Sequence, residues 1–163
     1  MQKRKVVFLD RDGVVNIERG EYTFRREDFK LHPEIISFMK AAKSMNYDFV
    51  IITNQGGVAR GLYSIDDVEV LHEHLSLELA KAGLELIDIY CSYHHEEIGS
   101  SLDRKPDSLM LERAIFKHNV DVSSSIFIGD SERDIFAASK VKIRGFKIEA
   151  NTSLMYILNE LNA

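Results

Sequence analysis

The sequence predicts an α/β fold: an open, mainly parallel, Rossmann-like sheet with helices on both faces. Apolar runs occur at Val6-Val7-Phe8-Leu9, Phe49-Val50-Ile51-Ile52, Leu86-Ile87-Asp88-Ile89-Tyr90 and Ile126-Phe127-Ile128-Gly129. Three of these runs are continuous rather than alternating, as strands buried on both faces require. Segments of helical period lie between them, and that alternation of strand and helix marks parallel crossover units.

Each intervening segment carries its own signals. Ile35, Met39 and Ala42 share one helical face, with Pro33 as the expected first helical residue. Ile65, Val68, Leu71, Leu75 and Leu79 share the face of a longer helix, opened by Ser64-Ile65-Asp66-Asp67 at capping-box spacing and closed by Gly83. A third helix is read from Leu109, Arg113 and Phe116 alternating with Leu111, Ala114 and Ile115, with Pro106 as its expected first residue. Ile143 to Ile148 predicts a short fifth strand, and Leu154, Ile157, Leu158 and Leu161 a C-terminal helix.

The chain has 163 residues, which fits a single domain over 1–163. Its 45% hydrophobic and 29% charged residues exclude disordered and fibrous classes. Twenty-one basic against 26 acidic residues give a net charge of −5, the wrong sign for general nucleic-acid or anionic-membrane binding. The lone cysteine, Cys91, cannot form an internal disulfide, and a reducing, cytoplasmic setting is expected. Lys3-Arg4-Lys5 leads into only four apolar residues, too few for a signal-peptide core or a spanning helix.

In such sheets ligands bind beyond the carboxyl ends of the strands. Asp10-Arg11-Asp12-Gly13 follows the first strand, Thr53-Asn54-Gln55-Gly56-Gly57 the second, and Gly129-Asp130-Ser131-Glu132-Arg133-Asp134 the fourth. Arg104-Lys105-Pro106 stands before the third helix, where a basic pair opposes the macrodipole unless an anion is held there. Taken singly, each reads as ordinary turn or cap chemistry. Together they bring two acids, a hydroxyl, a lysine and further acids to one crevice. Clustered carboxylates repel unless a cation sits among them, so Asp10, Asp12 and Asp130 imply a hard divalent metal, and oxygen-only ligation favours magnesium. With Lys105 added, the site suits a phosphate group. Asp10, ending the strand, is read as the nucleophile at phosphorus, and Asp12 as the acid/base that holds a proton for the leaving oxygen.

These residues resemble the four ordered motifs of the haloacid dehalogenase superfamily of phosphohydrolases over almost the whole chain. Asp10-Arg11-Asp12-Gly13-Val14-Val15-Asn16, Thr53 to Gly61 and Arg104-Lys105-Pro106 are similar to the subgroup that contains D-glycero-D-manno-heptose bisphosphate phosphatase and histidinol-phosphate phosphatase. Val58-Ala59-Arg60-Gly61 is closer to the heptose enzymes. The resemblance implies magnesium held by the side chains of Asp10 and Asp130 and the backbone carbonyl of Asp12. It implies that Thr53 and Lys105 steady the phosphoryl oxygens. Glu18, Arg19, Gly20, Tyr22, Asn54, Gln55 and Arg104 would contact the substrate, with Arg60 and Arg104 favoured for a second phosphate. The implied reaction is removal of the C7 phosphate of a heptose 1,7-bisphosphate through an aspartyl-phosphate. The alternative is hydrolysis of histidinol phosphate or another small phosphomonoester. The implied partner is a small phosphorylated sugar, with no nucleic acid or membrane, and the chain is expected to act as a monomer.

Two features depart from the family pattern. Members of the subgroup commonly carry a zinc loop, but Cys91-Ser92-Tyr93-His94-His95 is followed by no further cysteine, so structural zinc is expected to be absent. The intervals between motifs are filled by the predicted helices and strand, so no cap domain is expected. His72 and His74 cannot share a helical face, and His32 and His118 are read as surface residues. A phospho-accepting signalling domain would place its acceptor aspartate after the third strand. Here Cys91-Ser92-Tyr93 follows that run.

Overall fold

The side chains of the central strands alternate between two separate apolar layers. Val7, Leu9, Phe49, Ile51, Ile126 and Ile128 enter one core, while Val6, Phe8, Val50, Ile52 and Phe127 enter the other. The computed structural model that shows this describes residues 3–161; Met1, Gln2, Asn162 and Ala163, the ends of the expected 1–163 domain, lie outside the described residues. Strands β1 (Lys5–Leu9), β2 (Tyr47–Asn54), β3 (Asp88–Ser92), β4 (Ile126–Gly129) and β5 (Arg144–Lys147) form one sheet in the order β3-β2-β1-β4-β5. All neighbouring pairs are parallel. Val6 to Leu9 are fully buried, and each such side chain contributes about 1.5–3 kcal/mol of burial free energy.

Helices α1 (Ile35–Ser44) and α2 (Ile65–Lys81) cover the first face through Ile35, Phe38, Met39 and Ala42 and through Leu71, Leu75 and Leu79. The α2 N-terminus is a reciprocal capping box between Ser64 and Asp67. Helices α3 (Leu109–His118) and α4 (Glu132–Lys140) cover the second face through Met110, Leu111, Ala114, Ala137 and Ala138. The C-terminal segment is a short 3₁₀ turn, Met155–Ile157, running into α5 (Leu158–Leu161), with Leu154 and Ile157 in the first core. Among the described residues no separate domain is inserted between these elements, and no helix is long and apolar enough to cross a membrane.

Four expectations are corrected. β3 begins at Asp88, two residues after the start of the apolar run, because Ile87 is spent on the turn into the strand, its N–H donating to Phe49 O. Pro33 and Pro106 precede α1 and α3 rather than opening them, and Glu34 and Ser108 are the residues before the first turns. His32 is buried, its Nδ1 accepting from Glu34 N–H.

The sheet order makes β1 the strand from which the chain departs to both sides. The crevice at this switch point is therefore flanked by the residues that follow β1 and β4.

Candidate active site

The strand ends converge on a cleft of about 510 Å³. Asp10 leaves β1 with its Oδ1 accepting from Arg11 N–H at 2.8 Å and from Lys105 Nζ at 2.9 Å. Lys105 is 3% exposed and also donates to Ile52 O at 2.8 Å. Its third partner is Asp134 Oδ1 at 2.6 Å. The ammonium is thus held by two carboxylates and a β2 carbonyl, and these partners keep it charged although burial opposes the charge.

Asp134 was not singled out from the sequence as a site residue. Its spacing from Ser131 was the available signal: Asp134 Oδ2 accepts from Ser131 N–H at 3.0 Å and from Ser131 Oγ at 2.8 Å, capping α4. One carboxylate therefore caps a helix and faces the lysine at once. Asp10, Asp130 and Asp134 form a group whose ligand atoms all lie within 4.8 Å of one another. Gly13, at φ +85°, makes this approach possible, because a Cβ there would collide with Asp130 Oδ2. Burial pushes Asp10 up to about 8; Lys105 opposes this, while Asp134 and Asp130 reinforce it. Asp130 is raised too, first by burial and then by Asp134. An all-oxygen group under this repulsion fits a hard divalent cation such as magnesium. Asp12 contributes no side-chain oxygen to the group.

Asp12 is instead enclosed by donors. Its Oδ1 accepts from Asn16 Nδ2 at 2.9 Å and Arg11 at 3.1 Å, and its Oδ2 from Gln55 Nε2 at 2.9 Å. Burial alone would raise its pKa, but the Arg11 guanidinium and these hydrogen bonds hold it below the ordinary carboxylate value. The expectation that Asp12 rests with a proton is therefore corrected: in the free chain it is ionised, because every neighbour that touches it is a donor.

Arg11 is fully buried. Its Nη2 also donates to Thr23 O at 2.7 Å, and its Nη1 lies 3.3 Å from His72 Nε2. Burial and Arg11 together depress His72 to about 3, so the imidazole is neutral and accepts the hydrogen bond. Arg11 thereby ties the acid/base candidate to the loop that carries Tyr22 and Thr23. Phe24 of that loop stacks on Tyr63 at 4.8 Å between centroids, and Tyr63 donates to Gln55 Oε1 at 2.9 Å.

Other predicted positions divide by what their side chains already hold. Thr53 is buried, its Oγ1 accepting from Gln55 Nε2 at 2.9 Å. Asn54 exchanges two 3.0 Å hydrogen bonds with the Lys105 backbone, which fixes that loop to the end of β2. Glu18, Gly20, Tyr22 and Arg104 line the cleft. Arg19 and Arg60 do not: Arg19 pairs with Asp28 at 3.0 Å, and Arg60 donates to Tyr22 Oη at 3.3 Å from outside the lining.

The stretch after Cys91 is tied by Asp103, whose Oδ1 accepts from Ser92 Oγ at 3.0 Å and from Ser101 Oγ at 2.5 Å. Burial pushes the Cys91 thiol up to about 12, so it is protonated. Arg104 holds the same loop through His94 O at 2.8 Å.

Residues 5–149 match the model of the family described as polynucleotide kinase 3 phosphatase. A D-glycero-beta-D-manno-heptose-1,7-bisphosphate 7-phosphatase from Helicobacter pylori is 37% identical over 145 residues, covering 88% of this chain and 83% of that protein. A D-glycero-alpha-D-manno-heptose-1,7-bisphosphate 7-phosphatase from Photorhabdus laumondii is 37% identical over 147 residues, 86% of this chain and 80% of that protein. Among solved structures, D,D-heptose 1,7-bisphosphate phosphatase from B. bronchiseptica, complexed with magnesium and phosphate, aligns with a TM-score of 0.81. It is 27% identical and covers 88% of this chain and 79% of that one.

Proposed function

Because the chain belongs to the polynucleotide kinase 3 phosphatase family of haloacid dehalogenase-like phosphatases, we propose that it is a magnesium-dependent hydrolase of heptose 1,7-bisphosphate, removing the C7 phosphate through Asp10. The observation that carries this reading is the cluster at the switch point: Asp10, 2.9 Å from Lys105, within an all-oxygen group shared with Asp130 and Asp134. Support for the substrate comes from relatives at 37% identity named for that bisphosphate in either anomeric form.

Magnesium would be held by the Asp10 and Asp130 side chains and the Asp12 backbone carbonyl, with Asp134 kept by Lys105 and the α4 cap. When bound, the ion supplies positive charge that keeps Asp10 ionised and neutralises phosphoryl oxygens. Thr53 and Lys105 orient those oxygens. The phosphate dianion, seated beside Asp12, raises that carboxylate's proton affinity, so Asp12 takes up a proton on binding. The Asp10 carboxylate then attacks phosphorus, the P–O bond to the sugar breaks, and the leaving oxygen takes the proton from Asp12. Asp12, again a carboxylate, removes a proton from water, whose oxygen attacks the aspartyl-phosphate. The P–O bond to Asp10 breaks, releasing inorganic phosphate and restoring the Asp10 carboxylate.

Glu18 and Tyr22, which line the cleft, would meet sugar hydroxyls. A single active domain in the cytoplasm is part of the same reading. The test is kcat/KM with magnesium for D-glycero-D-manno-heptose 1,7-bisphosphate against histidinol phosphate, since specificity is the ratio of those constants. A ratio well above one supports the reading; a ratio below one transfers the assignment to histidinol phosphate.

A further inference from the structure

Three cationic side chains are found among the described residues that line the cleft: Arg104, Lys105 and Arg133. Lys105 is committed to Asp10 and Asp134. The other two converge on one carboxylate. Glu96 Oε2 accepts from Arg104 Nε at 2.7 Å and pairs with Arg104 Nη2 at 2.5 Å, and Glu96 Oε1 stands 3.9 Å from Arg133 Nη1. A carboxylate with one oxygen held by two nitrogens of one guanidinium and the other faced by a second guanidinium occupies the kind of place a phosphate takes.

We infer that Arg104 and Arg133 form a clamp for the second, non-reacting phosphate of the substrate, and that Glu96 is an internal anion which that phosphate displaces. The inference rests on the sugar-bisphosphate reading above and adds Arg133 and Glu96 to it.

The burial pattern suits an exchange. The Arg104 side chain is 11% exposed and pinned by His94 O, so it is positioned before substrate arrives. Gly56 leaves room for it, since a Cβ there would lie 3.1 Å from Arg104 Nη1. The Glu96 side chain is 61% exposed, so it can swing into water at little cost. Arg133 lies in the first turn of α4, three residues after Asp130, so the clamp is joined to the metal-binding strand end by one short rigid segment. A substrate with one phosphate cannot replace Glu96 at the arginines while its only phosphate is at Asp10. A bisphosphate can. The product keeps the clamped phosphate, so Glu96 on its return competes with product and favours release.

The experiment compares kcat/KM for heptose 1,7-bisphosphate and heptose 7-phosphate, which share the scissile ester and differ only in the remote phosphate. Wild type, Arg133→Ala and Glu96→Gln are measured with magnesium. The bisphosphate preference is expected to fall about tenfold in Arg133→Ala, the usual scale for one charge-assisted contact. In Glu96→Gln the KM for the bisphosphate and the Ki of heptose 1-phosphate are both expected to fall severalfold. An unchanged preference in Arg133→Ala, or a raised bisphosphate KM in Glu96→Gln, overturns the clamp.

If neither sugar is a substrate while p-nitrophenyl phosphate is, the sugar reading fails, and the clamp is then judged separately. The Ki of fructose 1,6-bisphosphate relative to fructose 6-phosphate, read against p-nitrophenyl phosphate turnover, should lose its preference for the bisphosphate in Arg133→Ala. An identical ratio in variant and wild type overturns the clamp on its own.

Discussion

Gln55 Nε2 lies 2.9 Å from Asp12 Oδ2, and its amide oxygen accepts from Tyr63. The whole side chain is therefore engaged with the protein. This makes Gln55 a positioning residue for Asp12 rather than a substrate contact, although the family resemblance implied the latter. Gln55→Ala is expected to lower kcat about tenfold with little change in KM, within the range that positioned acid–base catalysis supplies. Steady-state kinetics checks this; a raised KM at constant kcat would make Gln55 a substrate ligand instead.

Arg11 is a buried cation whose guanidinium joins Asp12, Thr23 O and His72. Arg11→Ala removes the cation paired with the Asp12 carboxylate and the guanidinium donor to the Thr23 carbonyl, a loss on the order of 3 kcal/mol. Urea denaturation is the check. Asp12 loses the charge that most strongly lowers its pKa, so the basic limb of the kcat/KM profile, set by the proton Asp12 must carry, moves to higher pH in any variant that stays folded.

Magnesium and pH are linked through Asp10. Its pKa in the folded, metal-free chain lies at about 8 against an ordinary value of 3.8, so the folded state binds the proton more tightly. The stability this group contributes is complete below the ordinary value and is lost as pH rises toward the folded one. Magnesium must displace that proton, so its affinity should rise up to about tenfold per pH unit between about pH 6 and about pH 8. Calorimetric melting with magnesium and with a chelator measures this. The magnesium-dependent gain in Tm should grow across that interval, and a gain independent of pH would contradict the cluster's electrostatics.

The two phenylalanines of the helix faces should behave oppositely. Phe38 is fully buried, and Phe38→Ala should cost about 3–5 kcal/mol. Phe116 is 91% exposed, and Phe116→Ala should shift stability by no more than about 0.5 kcal/mol. Chemical denaturation of both variants tests which face α3 presents to the core.

The sheet was legible because its central strands are buried on both faces and so read as unbroken apolar runs. β3 was less so: it lies at the edge of the sheet, its residues are mostly half-buried, and the apolar run slid two residues ahead of the pairing. The strand-end acids and Lys105 stood out because crossover topology gathers strand ends in one crevice. Asp134 did not, since an acid in the first turn of a helix has an ordinary electrostatic reason to be there. Arg11 gave no sign of its burial, because an arginine between two aspartates reads as a solvated turn. Its enclosure comes from His72 on α2 and the Thr23 carbonyl, residues 61 and 12 positions away. Arg19 and Arg60 show the reverse: charge in the right loops by sequence, but committed to Asp28 and Tyr22 in space.

The central claim is that Asp10 is the nucleophile of a magnesium-dependent phosphatase, and phosphate release by Asp10→Asn tests it most directly. With heptose 1,7-bisphosphate and magnesium, the wild type should turn over repeatedly, while Asp10→Asn should lose at least about a thousandfold in kcat. Its melting curve should stay near wild type. Full phosphate release by a folded Asp10→Asn variant would contradict the account.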